Sequence, residues 1–316
     1  MAATTDTFAA PIAAPAPTRA HLGRRTFAPE GRGLAVLLVL GSCSSFQIGA
    51  AFATRLFPST GAGGATLLRL GLAACLMLAL TRPNVRAWSR EQWRAAVLLG
   101  LSLALTNGFF YAAIARIPLG VAVTVQFLGP LTLAAVLSRR VRDLGWVAIA
   151  AVGVAILGWR DGGGAAASGG RLDALGLGFA LVAGLGWALY VLAGARMGKT
   201  VEGRGGLAVS LAIGALALLP FGTRGATHIT ERPGLVLVAM CTALMGSVVP
   251  YTLELSALRR IPRRAFGILL SLEPGIAAFA GWLLLSQRIG VVCVIAIAVV
   301  VAASVGSTAT AREKEV

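Results

Sequence analysis

Ten apolar runs follow one another along almost the whole chain. They lie near residues 33–55, 61–80, 95–115, 119–138, 144–159, 174–195, 206–222, 234–258, 265–287 and 289–309. A transmembrane helix needs about 20 predominantly apolar residues, and only helices and closed barrels satisfy their backbone hydrogen bonds in lipid. Charged residues make up 13% of the chain and hydrophobic residues 57%, so charge is too scarce to cover a soluble body. The sequence therefore predicts an all-α integral membrane protein with ten transmembrane helices.

The basic residues, which give the chain a net charge of +16, collect at the ends of these runs. If the N-terminus is cytoplasmic, 20 of the 28 Lys and Arg residues fall in cytoplasmic segments, seven fall on the other side, and Arg69 lies inside a run. An excess of Lys and Arg marks the cytoplasmic side of a membrane protein. The pattern predicts cytoplasmic N- and C-termini and an even number of spans, and it does not favour a nucleic-acid partner.

A short motif occurs twice, with an offset of 144 residues at every matching position. The copies are Ala113, Arg116-Ile117-Pro118 and Gly129-Pro130, and then Ala257, Arg260-Ile261-Pro262 and Glu273-Pro274. A weaker match aligns residues 46–55 with residues 187–196 at an offset of 141. A repeated pair of Pro-interrupted apolar segments is typical of transporters built from internal repeats, and it points to the binding site.

A Gly-rich segment between the fifth and sixth runs divides the chain into two halves of five runs each. Because five is odd, the second half enters the membrane from the opposite side, which predicts two inverted five-helix repeats. Small-residue spacings in the sixth run allow close helix contact within one chain or in a homo-oligomer. The expected segments are a disordered cytoplasmic tail at 1–32, a first repeat at 33–160, a flexible linker at 161–173, a second repeat at 174–309 and a cytoplasmic tail at 310–316.

Most polar residues inside the apolar runs belong to the third, fourth, eighth and ninth runs. Hydrocarbon cannot satisfy such groups, so we expect them to face a cavity or each other. Glu254 lies towards the end of its run, where either a position at the rim or a functional role is open. The polar set is Asn107, Tyr111, Thr124, Gln126, Tyr251, Glu254, Ser271 and Glu273.

Two charged residues lie deep inside runs. An unpaired Arg69 would be costly there, so it either contacts a substrate carboxylate or pairs with Glu273 or with helix-end carbonyls. Glu273 is a candidate for proton coupling, although a structural role is equally open. It precedes Pro274, which removes a helical hydrogen bond and can kink the helix. Pro130 occupies the matching place in the first half, and this match favours hinges or breaks that shape a cavity.

The sequence gives no support to an enzyme or to ATP-driven transport. The apolar runs contain no histidine and no nucleophile–base–acid set, and the chain has no Walker loop. The four cysteines form no close pair in the sequence, which favours structural thiols over a metal site. We therefore expect no metal and no cofactor. Trp187, Tyr190, Tyr111 and Tyr251 either line a cavity or serve as interfacial anchors.

These runs and motifs resemble the drug/metabolite transporter superfamily in its EamA branch, and within it the bacterial inner-membrane exporters of small amino acids. The resemblance covers nearly everything after residue 33. Its motifs are Phe110-Tyr111, Ile117-Pro118-Leu119-Gly120, Gly129-Pro130 and Ser138-Arg139-Arg140 in the first half, and Val249-Pro250-Tyr251, Leu253-Glu254 and Ser271-Leu272-Glu273-Pro274 in the second. Two positions depart from it: Gln126 replaces a glutamate of these exporters, and Ser286-Gln287 replaces the usual Gly-Glu.

The resemblance implies export of small amino acids such as threonine or homoserine from the cytoplasm, through a cavity lined by the third, fourth, eighth and ninth spans. We expect alternating access by rocking about Pro130 and Pro274. A broad drug or metabolite exporter is the alternative within transport, and a non-transporting membrane scaffold is the alternative outside it. The expected partners are a small-molecule substrate and the lipid bilayer. The expected substrate-binding residues are Arg69, Asn107, Tyr111, Gln126, Trp187, Tyr190, Tyr251 and Glu254, with Glu273 as the proton-coupling residue.

Overall fold

The computed structural model describes residues 29–138, 141–159, 172–201, 203–231, 233–258, 260–261 and 263–310. Pro262, most of the expected linker and both chain ends (1–28 and 311–316) lie outside these residues. Within the described ranges the chain forms helices and no strands. The α-helices are α1 (Pro29–Thr54), α2 (Phe57–Thr81), α3 (Arg90–Ile114), α4 (Leu119–Gln126), α5 (Leu128–Ser138), α6 (Val141–Trp159), α7 (Ala174–Thr200), α8 (Gly205–Thr227), α9 (Pro233–Ala243), α10 (Val249–Leu258), α11 (Arg263–Leu270), α12 (Glu273–Leu285) and α13 (Val291–Thr310).

In the described part, nine helical segments are long and apolar enough to cross a bilayer. Each of nine expected runs falls on one of them. The remaining run, expected near 144–159, falls on α6, whose apolar stretch Asp143–Ile156 is shorter. The protein is thus a multi-pass membrane protein made of helices.

Local chemistry accounts for the start of two helices. Ser89 caps α3 by accepting a hydrogen bond from the Gln92 N–H, while the Gln92 side chain accepts from the Ser89 N–H, forming a capping box. Asp173 caps α7 through the Leu175 N–H. Arg116 also donates to Asp173 at 2.9 Å, and this bond holds the pKa of the Asp173 carboxyl below its ordinary value. These contacts fix the ends of α3 and α7 to the loops beside them.

Two of the expected spans are interrupted near their middle. α4 gives way to α5 at Phe127, and α11 gives way to α12 at Ser271-Leu272. Pro130 and Pro274 lie in the first turns of α5 and α12, and proline has no N–H to donate to the carbonyl four residues earlier. The carbonyls concerned belong to Gln126 and Leu270, where α4 and α11 end. α4 and α11 also begin and end at positions that differ by 144.

A third interruption was not expected from the sequence. The eighth expected span is a helix whose middle, Leu244–Val248, forms a π-helical turn between α9 and α10. Such turns occur frequently at functional sites. Here Gly49 of α1 approaches so closely that an added Cβ would overlap the backbone of Gly246 in this turn.

The buried apolar residues are arranged differently towards the two ends of the helical bundle. Towards one end lie the C-terminal ends of α1 and α3 and the N-terminal ends of α2, α4, α7 and α13. The core there is one continuous cluster, and we call this part of the bundle the closed half. In the opposite half, the divided half, the core splits into three clusters. They are formed by α2, α3, α7 and α8, by α1, α10 and α11, and by α5, α6 and α13.

Candidate functional site

A cavity of about 260 Å³ lies where the three clusters of the divided half meet. Leu103 belongs to the first cluster and Cys43 to the second, while Trp187 and Leu270 pack against the third. The cavity is lined by Cys43, Phe46, Leu103, Thr106, Asn107, Gln126, Trp187, Tyr190, Val191, Tyr251, Glu254, Phe266, Leu270 and Glu273.

The structure brings most of the expected site residues to this cavity. Asn107, Gln126, Trp187, Tyr190, Tyr251, Glu254 and Glu273 all line it. They come from α3, α4, α7, α10 and α12, and they meet because each apolar helix places its few polar groups away from lipid. Arg69 and Tyr111 are buried and are not among the lining residues. Of the other polar residues, Thr124 donates to the Gly120 carbonyl and Ser271 bonds to Ser304, so both are satisfied away from the cavity.

Glu254 reaches the cavity from α10 and is held by a residue of α1. The Ser42 hydroxyl donates to Glu254 Oε1 at 2.9 Å. The same hydroxyl lies 3.2 Å from the carbonyl oxygen of Pro250, one turn earlier in α10. A hydroxyl has one proton and can also accept, so Ser42 can donate to either oxygen.

Glu273 reaches the cavity from the first turn of α12 and is also held by α1. Gln47 Nε2 donates to Glu273 Oε1 at 3.1 Å. The Gln47 side chain is fully buried, and its Oε1 has no hydrogen-bond partner in the described part of the chain. A buried polar atom without a partner costs free energy, so this oxygen requires an explanation.

The charge of the cavity comes from its two carboxyl groups. None of the described residues that line it is an Arg, Lys or His. The remaining polar side chains of the lining are neutral. One of them already donates a hydrogen bond to its own helix, and another makes no hydrogen bond within the described residues. Asn107 donates to the Leu103 carbonyl at 2.8 Å, and the buried Thr106 hydroxyl has no partner among the described residues. The cavity therefore offers sites for a proton or a cationic group beside neutral donors.

Arg69 is enclosed beside the cavity. The side chain is 1% exposed, and its guanidinium donates to Ser247 Oγ and Tyr111 Oη at 3.2 Å each and to the carbonyl of Gly246. It also lies over the ring of Phe46, 4.8 Å from the centroid, and Phe46 lines the cavity. Glu273 is not among its described hydrogen-bond partners. Two of these partners belong to the π-helical turn, so Arg69 ties α2 to the segment that precedes Tyr251 and Glu254.

The contribution of α1 to the cavity was not predicted from the sequence. Cys43 and Phe46 line the cavity, and Ser42 and Gln47 bind its carboxylates. A signal was present, because Ser42, Ser45 and Gln47 interrupt the first apolar run. The partners of Ser42 and Gln47 are 212 and 226 residues away, so nothing local identified them.

Comparisons with known proteins agree with this architecture. Residues 174–309 match the model of the EamA-like transporter family. The threonine/homoserine exporter RhtA of Salmonella typhimurium (strain SL1344) is 36% identical over 283 residues, which cover 89% of this chain and 93% of that protein. The chain belongs to the EamA-like transporter family. The RhtA protein of Escherichia coli (strain K12) is 35% identical over the same shares of both chains.

The RhtA alignments cover 89% of this chain, far more than residues 174–309. A solved crystal structure is similar with a TM-score of 0.56, covering 88% of this chain and 97% of the other. At 20% identity that likeness shows the fold alone. The cavity therefore belongs to an EamA transporter whose helical fold recurs in a solved structure.

Proposed function

We propose that this protein is a secondary transporter that exports small amino acids such as threonine or homoserine from the cytoplasm by alternating access. The observation that carries the proposal is the small cavity with two carboxyl groups, several neutral donors and no described cation in its lining. The names of the RhtA relatives supply the substrate class. The protein would move its substrate unchanged, so we propose no catalytic residue.

A zwitterionic amino acid fits the chemistry of the lining. Its ammonium group would approach Glu254 and Glu273, and its carboxylate would accept hydrogen bonds from Gln126, Tyr190 or Tyr251. Asn107 has one amide proton bound to its own helix and retains its oxygen for the substrate. Trp187 would pack against the substrate side chain. Arg69 and Tyr111 do not line the cavity, so they would contact the substrate only if substrate binding opens the cavity towards them.

The size of the cavity favours an amino acid over a drug. Sites for drug-sized ligands usually have volumes of roughly 300–1,000 Å³, and this one is about 260 Å³. The aromatic lining favours the broad-exporter alternative, because Phe46, Trp187, Tyr190, Tyr251 and Phe266 present adaptable apolar surface. Transport of a dye as well as an amino acid would support that alternative.

The packing supports an inward-facing state. In the closed half, α4 packs against α12. In the divided half, α5 and α11 make at most isolated contacts with each other within the described residues. The positive-inside pattern assigns the divided half to the cytoplasm. The cavity would thus load from the cytoplasm, and export would require α4 and α12 to separate while α5 and α11 close about Pro130 and Pro274.

We propose ten transmembrane helices in two inverted repeats, with α6 as the short fifth span, and both termini on the cytoplasmic side of a bacterial inner membrane. The 144-residue offset of α4 and α11 supports this arrangement. So does the packing of α2 against α8 and of α6 against α13, with α3 against α7 matching α1 against α10. Exchanging the two repeats maps the first two pairs onto themselves and the third onto the fourth, whereas α4–α12 maps onto α5–α11, the pair that makes at most isolated contacts. A homo-oligomer remains compatible with this arrangement.

The test is uptake of labelled threonine and homoserine into inside-out vesicles, with and without a proton gradient. The control is vesicles with the same amount of the Glu273→Gln variant. We expect gradient-stimulated accumulation that unlabelled substrate abolishes and that the variant lacks. Absence of uptake for both amino acids, in vesicles shown to contain the protein, would contradict the proposal. Absence of any substrate-dependent flux, dyes included, would favour the scaffold alternative.

A further inference from the structure

Gln47 is fully buried, and no expected site residue was placed on its helix. Its amide nitrogen donates to Glu273, and its amide oxygen has no partner among the described residues. An apolar side chain of similar shape would fill this place without stranding a polar oxygen. The amide is therefore best explained by what it does for Glu273.

A glutamine amide presents a donor at one end and an acceptor at the other. Rotation about the Cγ–Cδ bond exchanges the two ends without moving the backbone or any other group. In the structure Nε2 faces Glu273 Oε1, which is the orientation that suits a carboxylate. When Glu273 is a carboxylic acid, the rotated amide presents Oε1 to accept the acid's O–H. In each state one end of the amide forms a hydrogen bond with Glu273 and the other end forms none.

We propose that Gln47 is a positioning residue that supplies a hydrogen bond to Glu273 in both of its protonation states. The proton itself passes between Glu273 and water in the cavity, and the amide neither gains nor loses one. Because each state has one hydrogen bond from the amide, Glu273 can load and release a proton with less bias from α1 than a group that binds only one form would impose. This inference rests on the proposed role of Glu273 in proton coupling.

Ser42 supports the same interpretation from one and a half turns earlier in α1. Its hydroxyl donates to Glu254 and lies within reach of the Pro250 carbonyl. If Glu254 becomes protonated, Ser42 can accept from the acid and donate to Pro250 instead. Ser42 and Gln47 on α1 can thus each form a hydrogen bond to a carboxylate and to a carboxylic acid. A lysine or arginine in either place would bind the carboxylate alone.

Other ionisable groups surround Glu273 and could alter its titration. From α1 there is Cys43, from α7 Tyr190, and from α10 Tyr251 and Glu254, all lining the same cavity. α4 contributes the neutral Gln126, and α13 contributes Cys293, which lies in the closed half. Arg69 on α2 lies over the Phe46 ring beside the cavity, and it is committed to Gly246, Ser247 and Tyr111. The test must therefore report on Glu273 itself.

Infrared difference spectra between alkaline and acidic pH provide that report, on the purified full-length protein. The carboxylic-acid band of Glu273 is identified as the band that is missing from the spectrum of the Glu273→Gln variant. In Gln47→Met, which keeps the shape and removes both ends of the amide, we expect this band to move to higher frequency while its titration midpoint changes little. Ser45→Ala is the matched control on the same helix, because the Ser45 hydroxyl donates to the Met245 carbonyl rather than to a carboxyl group, and it should leave the Glu273 band in place.

A different result would overturn the inference. If Gln47 serves only the carboxylate, Gln47→Met leaves the acid band unmoved and raises its midpoint by about one to two pH units, the value of one hydrogen bond to a charged group. If the Gln47→Met variant does not insert into the membrane, the unsubstituted protein can be labelled with ¹³C-glutamine instead. The inference then requires the Gln47 carbonyl band to shift as Glu273 titrates. These spectra need no transport, so failure of threonine export and failure of this inference are separate outcomes.

Discussion

Gly120 of α4 lies against the backbone of Ala278 of α12: a Cβ added to Gly120 would be 2.6 Å from the Ala278 Cα. This contact closes the half of the bundle that the single apolar cluster fills. The Gln287 side chain adds to the closure, because its Oε1 accepts a hydrogen bond from the Leu119 N–H at 3.0 Å. This oxygen caps the first turn of α4.

We expect Gly120→Ala to separate α4 from α12. Overpacking of this kind costs about 1–3 kcal/mol, partly offset by the roughly 1 kcal/mol that alanine gains over glycine in a helix. The variant should unfold at a lower temperature in detergent and export more slowly. Gly275→Ala on α12 is the control, because a Cβ there meets nothing within 4 Å. Equal unfolding temperatures for the two variants would show that the crossing is not tight.

Glu273→Gln should abolish stimulation of transport by a proton gradient while the protein remains inserted. The amide keeps the size of the side chain and still bonds to Gln47, but it has no acidic proton to exchange. The measurement is gradient-driven uptake into inside-out vesicles, normalised to the amount of protein. Glu91→Gln, an exposed carboxylate paired with Arg196, is the control and should transport normally. Undiminished gradient-driven export by Glu273→Gln would remove this residue from the mechanism.

Arg69→Lys should destabilise the protein, because lysine keeps the charge and loses the planar fork that reaches three partners. Each hydrogen bond to a charged group contributes about 1.5–3 kcal/mol, so we expect a clear fall in Tm. Arg55→Lys, at an exposed position in the turn after α1, should change the Tm little. A raised KM for threonine with an unchanged Tm would instead indicate that Arg69 binds the substrate carboxylate directly.

Gln126→Leu should change substrate preference, since its side chain lines the cavity where the first broken helix ends. We expect at least a tenfold fall in kcat/KM for threonine, equal to about 1.4 kcal/mol, and a smaller fall for more apolar amino acids. Thr124→Val is the matched control on α4, because Thr124 bonds within its own helix. Competition among unlabelled amino acids in vesicles measures the preference. An unaltered ranking would place α4 outside the substrate site.

The local features were predictable because local chemistry produces them. Apolar runs of sufficient length must become helices in lipid, and Pro130 and Pro274 must leave a carbonyl without its helical donor. Asn107, Gln126 and Glu273 were identifiable as site candidates because an apolar helix tolerates a polar group only where it avoids lipid.

Pairing across the bundle was not predictable in the same way. Gln47 and Glu273 are 226 residues apart, and no periodicity in either helix indicates the other. The same is true of Arg69, whose partners in the π-helical turn lie 177 and 178 residues away. The turn does contain Gly246, and Pro250, four residues later, cannot donate to the Gly246 carbonyl, but nothing in the sequence indicates that Arg69 binds this carbonyl instead.

The amino-acid sequence by itself thus determined a multi-pass helical membrane protein with two matched helix breaks and a small set of intramembrane polar residues, since hydrophobicity and proline act within a few residues. Only the tertiary structure decided that α1 holds both cavity carboxyl groups and that Arg69 is enclosed against the π-helical turn. It also decided that the core is continuous in one half and split in the other. Those outcomes depend on which small residues let particular helices approach, and that is a property of the packed bundle rather than of any one segment.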